Sequence, residues 1–296
     1  MAILRFCLLG LLLAAGPAAA WEAVGMARLL TNDYFGDRHD RWHTNSYQVG
    51  VLMEPGAGQA GPDLVELRFF TEVLTPASLA HPAPDDRPLA GVISLGLHGY
   101  MLGAASSLHF GLDLVGVGPS TGYDDALRRF HPAGERPSDA VRQDQIGDGL
   151  HPTLMITGSR SIPLGQSGQA VLFGQAQAGV ETLLRFGGDL VCGPAGRGAL
   201  PIRDTTTGLL IPATHLDARG FGLTVGADAA HVTRSSYLPE SRGYDLTDIR
   251  YRARAGGLWR WGKGKQVFYG VTWLSEEFEA QPEGQVVGSI HVNWRF

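Results

Sequence analysis

A closed antiparallel β-barrel of about 12 strands that spans a membrane is the fold class this sequence predicts, and three observations predict it. Segments of apolar–polar alternation recur along most of the chain. The last of them runs to a terminal aromatic residue, Phe296. A segment with the three parts of a secretory leader precedes them all. A soluble sandwich strand also alternates. The leader and the C-terminal pattern together favour the membrane barrel.

The leader occupies residues 1–20. Arg5 precedes an apolar run from Phe6 to Ala15, and the small residues Ala18, Ala19 and Ala20 follow. Cleavage is expected after Ala20, leaving a single barrel domain over 21–296. Cys7 lies in the leader, so Cys192 is the one cysteine of the mature chain. An internal disulfide is therefore excluded. Beyond the leader no apolar run reaches the roughly 18 residues of a membrane helix. The net charge is −5 with Lys and Arg scattered, which offers no surface for nucleic acid.

Alternating segments are expected at Ser46 to Met53, Asp63 to Thr75, Leu89 to Tyr100 and Ser107 to Gly118. Further ones are expected at Pro152 to Ser161, Ala170 to Thr182, Gly220 to Val232, Leu246 to Trp259 and Gln266 to Glu277. Most run about ten residues, the length of a tilted membrane strand. Turn chemistry separates them, as in "GAGQAGPD", "PLGQSGQ" and "WGKGKQ". The closing "GQVVGSIHVNWRF" puts Val286, Gly288, Ile290, Val292, Trp294 and Phe296 on one face, expected to meet lipid. His291 and Asn293 fall on the other. Trp259, Trp261, Trp273 and Trp294 fall near strand ends, where an interfacial girdle requires aromatic side chains.

Residues 121–150 lack alternation. A short helix is expected over Asp124 to Phe130, with Tyr123, Ala126, Leu127 and Phe130 on one side, stopped by Pro132 and Gly134. The opening stretch "LLTNDYFGDRHDRWHTNSYQVGV", residues 29–51, is unusually polar between apolar flanks.

Three stretches together resemble the outer-membrane lipid A 3-O-deacylase family. The first holds Asn32-Asp33, then Asp40-Arg41, then Thr44-Asn45 after His43. The second is "PDDRPLAG", residues 84–91, similar to the family's "DDRPYAG". The third is the 121–150 excursion, where His131 and Gln145 take the family's histidine and glutamine places. The closing hairpin also resembles the family's. Two positions depart: Leu127 stands where a well-understood member has glutamine, and Pro84 where it has lysine.

The resemblance implies an ester hydrolase acting on lipid A in the bacterial outer membrane, with no protein partner. Ester hydrolysis needs an activated water, a base and a positive group near the developing oxyanion. His131 is the candidate base. Asn32 and Thr44 are candidate substrate- or water-holding groups. Asp33 is a candidate ligand for calcium, which takes oxygen donors, and Glu135 a candidate further ligand.

Each residue also has a plain reading. His131 can be a surface histidine, Asn32-Asp33 the start of a β-turn, and Thr44 an ordinary strand residue. Asp86-Arg87 is expected as an ion pair inside the barrel, and His39 and His43 as solvent-facing. Two other functions stay open: a calcium-dependent outer-membrane phospholipase, which would need a serine beside His131, and a non-catalytic barrel or pore.

Overall fold

The computed structural model describes residues 21–56, 61–196, 200–212, 219–262 and 264–294. The expected leader and Phe296 lie outside the described residues. Twelve strands close into an antiparallel barrel. In chain order they are β1 (Glu22–Asn32), β2 (Trp42–Glu54), β3 (Leu64–Thr75), β4 (Ala90–Leu102), β5 (Ser106–Val117), β6 (Gly149–Leu164), β7 (Gly168–Ala178) and β8 (Glu181–Cys192). After a short hairpin of β9 (Pro201–Arg203) and β10 (Leu210–Pro212) come β11 (Gly220–Ser235), β12 (Ile249–Gly262), β13 (Lys265–Leu274) and β14 (Gln285–Trp294). Neighbouring barrel strands pair in sequence order except that β8 pairs with β11, and β1 closes the ring on β14.

The expected segment Ala170 to Thr182 covers most of β7 but runs on through a turn into the first residues of β8. β7 stops at Ala178, Gly179 turns at a φ of 150°, and β8 begins at Glu181. In β8 the adjacent Gly187 and Gly188 interrupt the alternation, which hides the strand in the sequence.

The two faces are what period two requires. Leu67, Leu97, Leu112, Leu154, Phe186 and Trp294 project outward and are exposed. Along β14, Ile290, Val292 and Trp294 lie on the outer face, while Ser289 and His291 are buried inside. Trp259, Trp261 and Trp294 cluster at the end that carries both termini, with ring centroids 5.0 and 5.5 Å apart. Trp273 lies at the other end of β13. The connections 76–89, 118–148 and 236–248 are at the end away from the termini, the extracellular end of such barrels, while the β8–β11 connection leaves from the other end.

The lumen is filled. The β9–β10 hairpin lies inside, where Ile202, Leu209 and Ile211 pack with Ala27, Leu29, Leu52, Leu258 and Phe268. Gln48 accepts hydrogen bonds from Thr205, and Arg252 donates to the Thr205 and Thr206 carbonyls at 2.9 and 3.0 Å. Beside the hairpin, Asp189 and Asp228 are held by Arg185, Arg203, Arg252 and Arg254. At the extracellular end Phe70, Leu74, Val92, Val117, Ile146 and Val180 form a second apolar layer. Between the two lies a cavity of about 650 Å³.

The excursion carries α1 (Tyr123–Phe130) and α2 (Asp139–Gln143). It lies on the outside of the wall. Leu67 on β3 is exposed to the exterior, so Thr71, Val73 and Thr75, on the same strand face, point outward too; yet they are buried. What covers them is the excursion. Val73 packs with Leu79, Leu89, Leu127 and Val141, and Thr71 shares a hydrogen bond with the Tyr123 hydroxyl. Gly91 on β4 makes this possible, since a Cβ there would lie 2.2 Å from Thr121 Oγ1.

Candidate functional site

The polar opening stretch folds over the same outer wall, at the extracellular rim. β1 ends at Asn32, whose Oδ1 accepts from Tyr34 N–H at 2.9 Å and so caps a 3-10 turn, Asp33–Phe35. Asn32 Nδ2 donates to the Thr44 carbonyl at 2.9 Å, tying β1 to β2. The turn lies flat on β14: a Cβ on Gly288 would meet the Phe35 carbonyl oxygen at 2.2 Å, and one on Gly36 the Val286 oxygen at 2.0 Å. Tyr269 on β13 donates to the Phe35 carbonyl at 2.7 Å.

Asp33 is buried, 3% exposed, and its Oδ2 accepts from Arg41 N–H at 3.1 Å. Burial, then the nearby Asp40 and Asp37 charges, push its carboxyl up to about 7 against the Arg41 and Tyr34 amides. The loop returns through two non-glycine residues at positive φ, Arg38 at 65° and Trp42 at 53°. Such strain is held where surrounding structure over-determines it. The Arg41 guanidinium is engaged by Asp37 and Glu283 at 3.1 and 2.5 Å. In β2 the register with β3 shifts between His43 and Asn45. This bulge turns Thr44 so that its Oγ1 meets Thr75 Oγ1 at 2.7 Å.

His131 follows α1 directly and reaches this loop. Its Nδ1 lies 3.0 Å from the Leu127 carbonyl, and its Nε2 lies 2.8 Å from Asp40 Oδ2. A carbonyl only accepts, so Nδ1 carries hydrogen and donates. An ionised Asp40 also only accepts, so a proton sits between Nε2 and Oδ2. The Leu127 side chain packs into the apolar cluster between α1 and the wall, and its carbonyl is the polar neighbour of His131.

The remaining sequence candidates fall elsewhere. Glu135 is exposed on the turn after α1 and, among the described residues, its carboxylate makes no hydrogen bond or ion pair. Gln145 donates to the Arg142 carbonyl within its own turn. His39 is exposed, as expected. His43 is not: it points into the lumen between Glu72 and Glu277, at 2.8 and 3.2 Å. Arg87 pairs with Glu277 at 2.5 Å, not with Asp86. Asp86 instead accepts from the Arg87 and Ala77 backbone amides and from Trp42 Nε1. Burial raises the Glu277 carboxyl, but the His43, Arg250 and Arg87 charges outweigh it and hold it well below the usual range.

Asp40, Thr75 and Glu277 were given no role by the sequence. Asp40 stands inside the quoted motif, so its position was the available signal. Thr75 and Glu277 carry no local signal, because their partners come from other strands.

The outer rim therefore gathers a buried carboxylate, two further aspartates, an amide, a threonine pair and a histidine. It is bordered by exposed Tyr34, Phe35 and Phe130. Oxygen-rich anionic groups of this kind suit a hard divalent cation. Asp33 is the residue best placed to hold one, with Asp40 and Asp37 adding negative charge beside it.

The family model described as "Outer membrane protein LpxR" matches residues 4–296. No curated protein matches the chain. Among solved structures, LpxR from Salmonella typhimurium superposes with a TM-score of 0.73 at 15% identity, over 92% of this chain and 100% of that one. The translocator domain of the autotransporter NalP from Neisseria meningitidis covers 100% of this chain and 95% of its own, at 11% identity and a TM-score of 0.45. The Bordetella autotransporter BrkA β-domain covers 93% and 99%, at 10% identity and a TM-score of 0.44.

Proposed function

This chain belongs to the family of outer membrane protein LpxR, and from that membership we propose a calcium-dependent esterase that removes an ester-linked acyl chain from lipid A. Its place is the bacterial outer membrane. The observation that carries the reading is the position of the site. Asn32, Asp33, Thr44 and His131 lie on the outer wall at the extracellular rim, where lipid headgroups of the outer leaflet sit, and not in the lumen. Exposed Tyr34, Phe35 and Phe130 at its border suit acyl chains.

In this reading His131 takes the proton of the attacking water at Nε2. The Nδ1–H bond to the Leu127 carbonyl sets the tautomer and the ring plane. The contact with Asp40 must open first and the proton between the two atoms must pass to solvent, which leaves Nε2 a bare lone pair facing the water. Asn32 holds Thr44 and the Asp33 turn in register, and Thr75 fixes the Thr44 hydroxyl. Calcium held at Asp33 would supply positive charge for the ester carbonyl oxygen. Glu135 is a second ligand only if its turn closes on Asp33.

A serine nucleophile is not favoured. Among the described residues no serine hydrogen-bonds to His131. A pore is not favoured either, because the hairpin and the apolar layer occupy the lumen.

The test is mass spectrometry of lipid A from cells expressing the parent, His131→Ala or no protein, with and without calcium. Loss of an ester-linked chain only with the parent and calcium supports the reading. Unchanged lipid A with a folded, surface-exposed parent overturns it.

A further inference from the structure

Inside the barrel, far from the rim, three potential metal ligands converge from three adjacent strands. Glu66 on β3, His98 on β4 and His109 on β5 place one ligand atom each within 4.8 Å of one another. Glu66 and His98 are fully buried, and His109 borders the 650 Å³ cavity.

The surrounding contacts set the protonation of this group. His98 Nε2 faces Asp113 Oδ1 at 3.3 Å, so it carries the hydrogen and donates. His98 Nδ1 is then a bare lone pair, and it points at His109 Nε2, 3.0 Å away. A carboxylate behind a histidine, with the other nitrogen aimed forward, is the arrangement that orients metal-binding imidazoles. The His109 ring is fixed by stacking on Tyr100, 4.3 Å between centroids and 5° from parallel. Glycines make room for the group. A Cβ on Gly111 would lie 2.2 Å from His98 Nδ1, and one on Gly50 would lie 2.0 Å from Glu66 Oε1.

Arg68 also contacts Glu66, with Nε to Oε1 at 2.9 Å and Nη2 to Oε2 at 2.7 Å. Tyr100 donates to Oε2 as well, which fills that oxygen. Oε1 has accepted one bond and keeps a second lone pair. With neutral imidazoles, Glu66, Asp113 and Arg68 leave the group one net negative charge, which a bound cation reverses.

We propose that Glu66, His98 and His109 form a lumenal site for a borderline divalent transition ion of the zinc class, bound through two imidazoles and one carboxylate oxygen. Two nitrogens and one oxygen suit this class and not calcium, which prefers oxygen donors throughout. His109 borders the cavity, which extends to the turn at 103–105 and leaves room for a water as a further ligand. Asp113 is a positioning residue that acts through His98.

The experiment titrates zinc chloride into the folded barrel in detergent micelles with calcium in excess, so that the rim does not compete. Isothermal calorimetry should give one zinc per chain. Asp113→Asn should weaken binding about 10- to 100-fold, the usual effect of losing an outer-shell partner. His109→Gln should weaken it further, and Asp33→Asn should leave it unchanged. Heat-modifiable gel mobility reports whether each variant is folded. Zinc K-edge absorption on the loaded parent needs no variant, and should show two imidazole ligands. No zinc uptake by the parent, an all-oxygen shell, or equal affinity in folded His109→Gln overturns the site and leaves the two histidines sharing only a proton.

Discussion

His131 and Asp40, 91 residues apart in the chain, meet at 2.8 Å between Nε2 and Oδ2. One follows a helix that lies outside the barrel, and the other lies late in the loop between the first two strands. Their contact fastens the excursion to the polar opening stretch, and it holds a proton at the nitrogen that a general base must keep free.

The first prediction concerns this pair. His131→Ala should lower turnover by about 10²–10⁴, the usual worth of a positioned base, and His131→Gln should not rescue it, because an amide cannot take the proton. Asp40→Ala should leave kcat at or above the parent's, since it removes the contact that occupies Nε2 while the Leu127 carbonyl still sets the ring plane. Lipid A deacylation rates of the purified variants check both. Activity within a few-fold of the parent in His131→Ala would remove the base from the scheme.

The second concerns Asp33. Its carboxyl, pushed up to about 7, is protonated below that pH and must release its proton to bind a cation. Calcium affinity should therefore be level above pH 7 and fall as pH drops below it, by up to about tenfold per unit for one released proton. In the cation-free protein the sign is the reverse of an ordinary carboxylate. The folded state binds the extra proton, so this group's contribution is present at low pH and is lost as pH rises through about 7. Calcium titrations between pH 5 and pH 8 read the first effect. Asp33→Asn should abolish the pH dependence along with the tight binding.

Leu127 supplies the third. Its side chain anchors α1 on the wall and its carbonyl orients His131. Leu127→Ala should loosen the helix, at a cost of about 2–5 kcal/mol if the site cannot collapse, and should lower activity without unfolding the barrel. Leu127→Gln, which restores the residue found in a related enzyme, should not raise activity here, because it puts an amide among Val73, Leu79, Leu89 and Val141. Protease accessibility of the 121–150 segment and the deacylation rate measure both effects. A faster Leu127→Gln enzyme would show that this cluster yields to the polar group.

The fourth separates enzyme from channel. With the β9–β10 hairpin packed against Leu29, Leu52 and Phe268, the parent should carry no steady current in planar bilayers. Deleting 202–211 alone should not open one, because the apolar layer of Phe70, Leu74, Val92, Val117, Ile146 and Val180 still closes the extracellular end. A conducting parent would mean that neither the hairpin nor this layer closes the lumen.

The alternation of "GQVVGSIHVNWRF" was enough to place β14 and its outer face, because strand geometry sends successive side chains to opposite sides whatever the neighbours are. The α1 segment was likewise legible, since Pro132 and Gly134 bound a run with helical spacing. The quoted motifs pointed to the family and so to the outer membrane. They did not say which side of the wall the motifs occupy. His131 lies on the exterior, because Val73 and Thr71 offer the excursion an outer face to bury against. His43 and Arg87 were read as solvent-facing and as paired with Asp86. Both converge on Glu277, which strand closure alone brings to them. Local sequence sets which residues share a face. Only the closed ring, through its register and the loops folded onto it, decides what each face meets, since the partners lie up to 264 residues away in the chain.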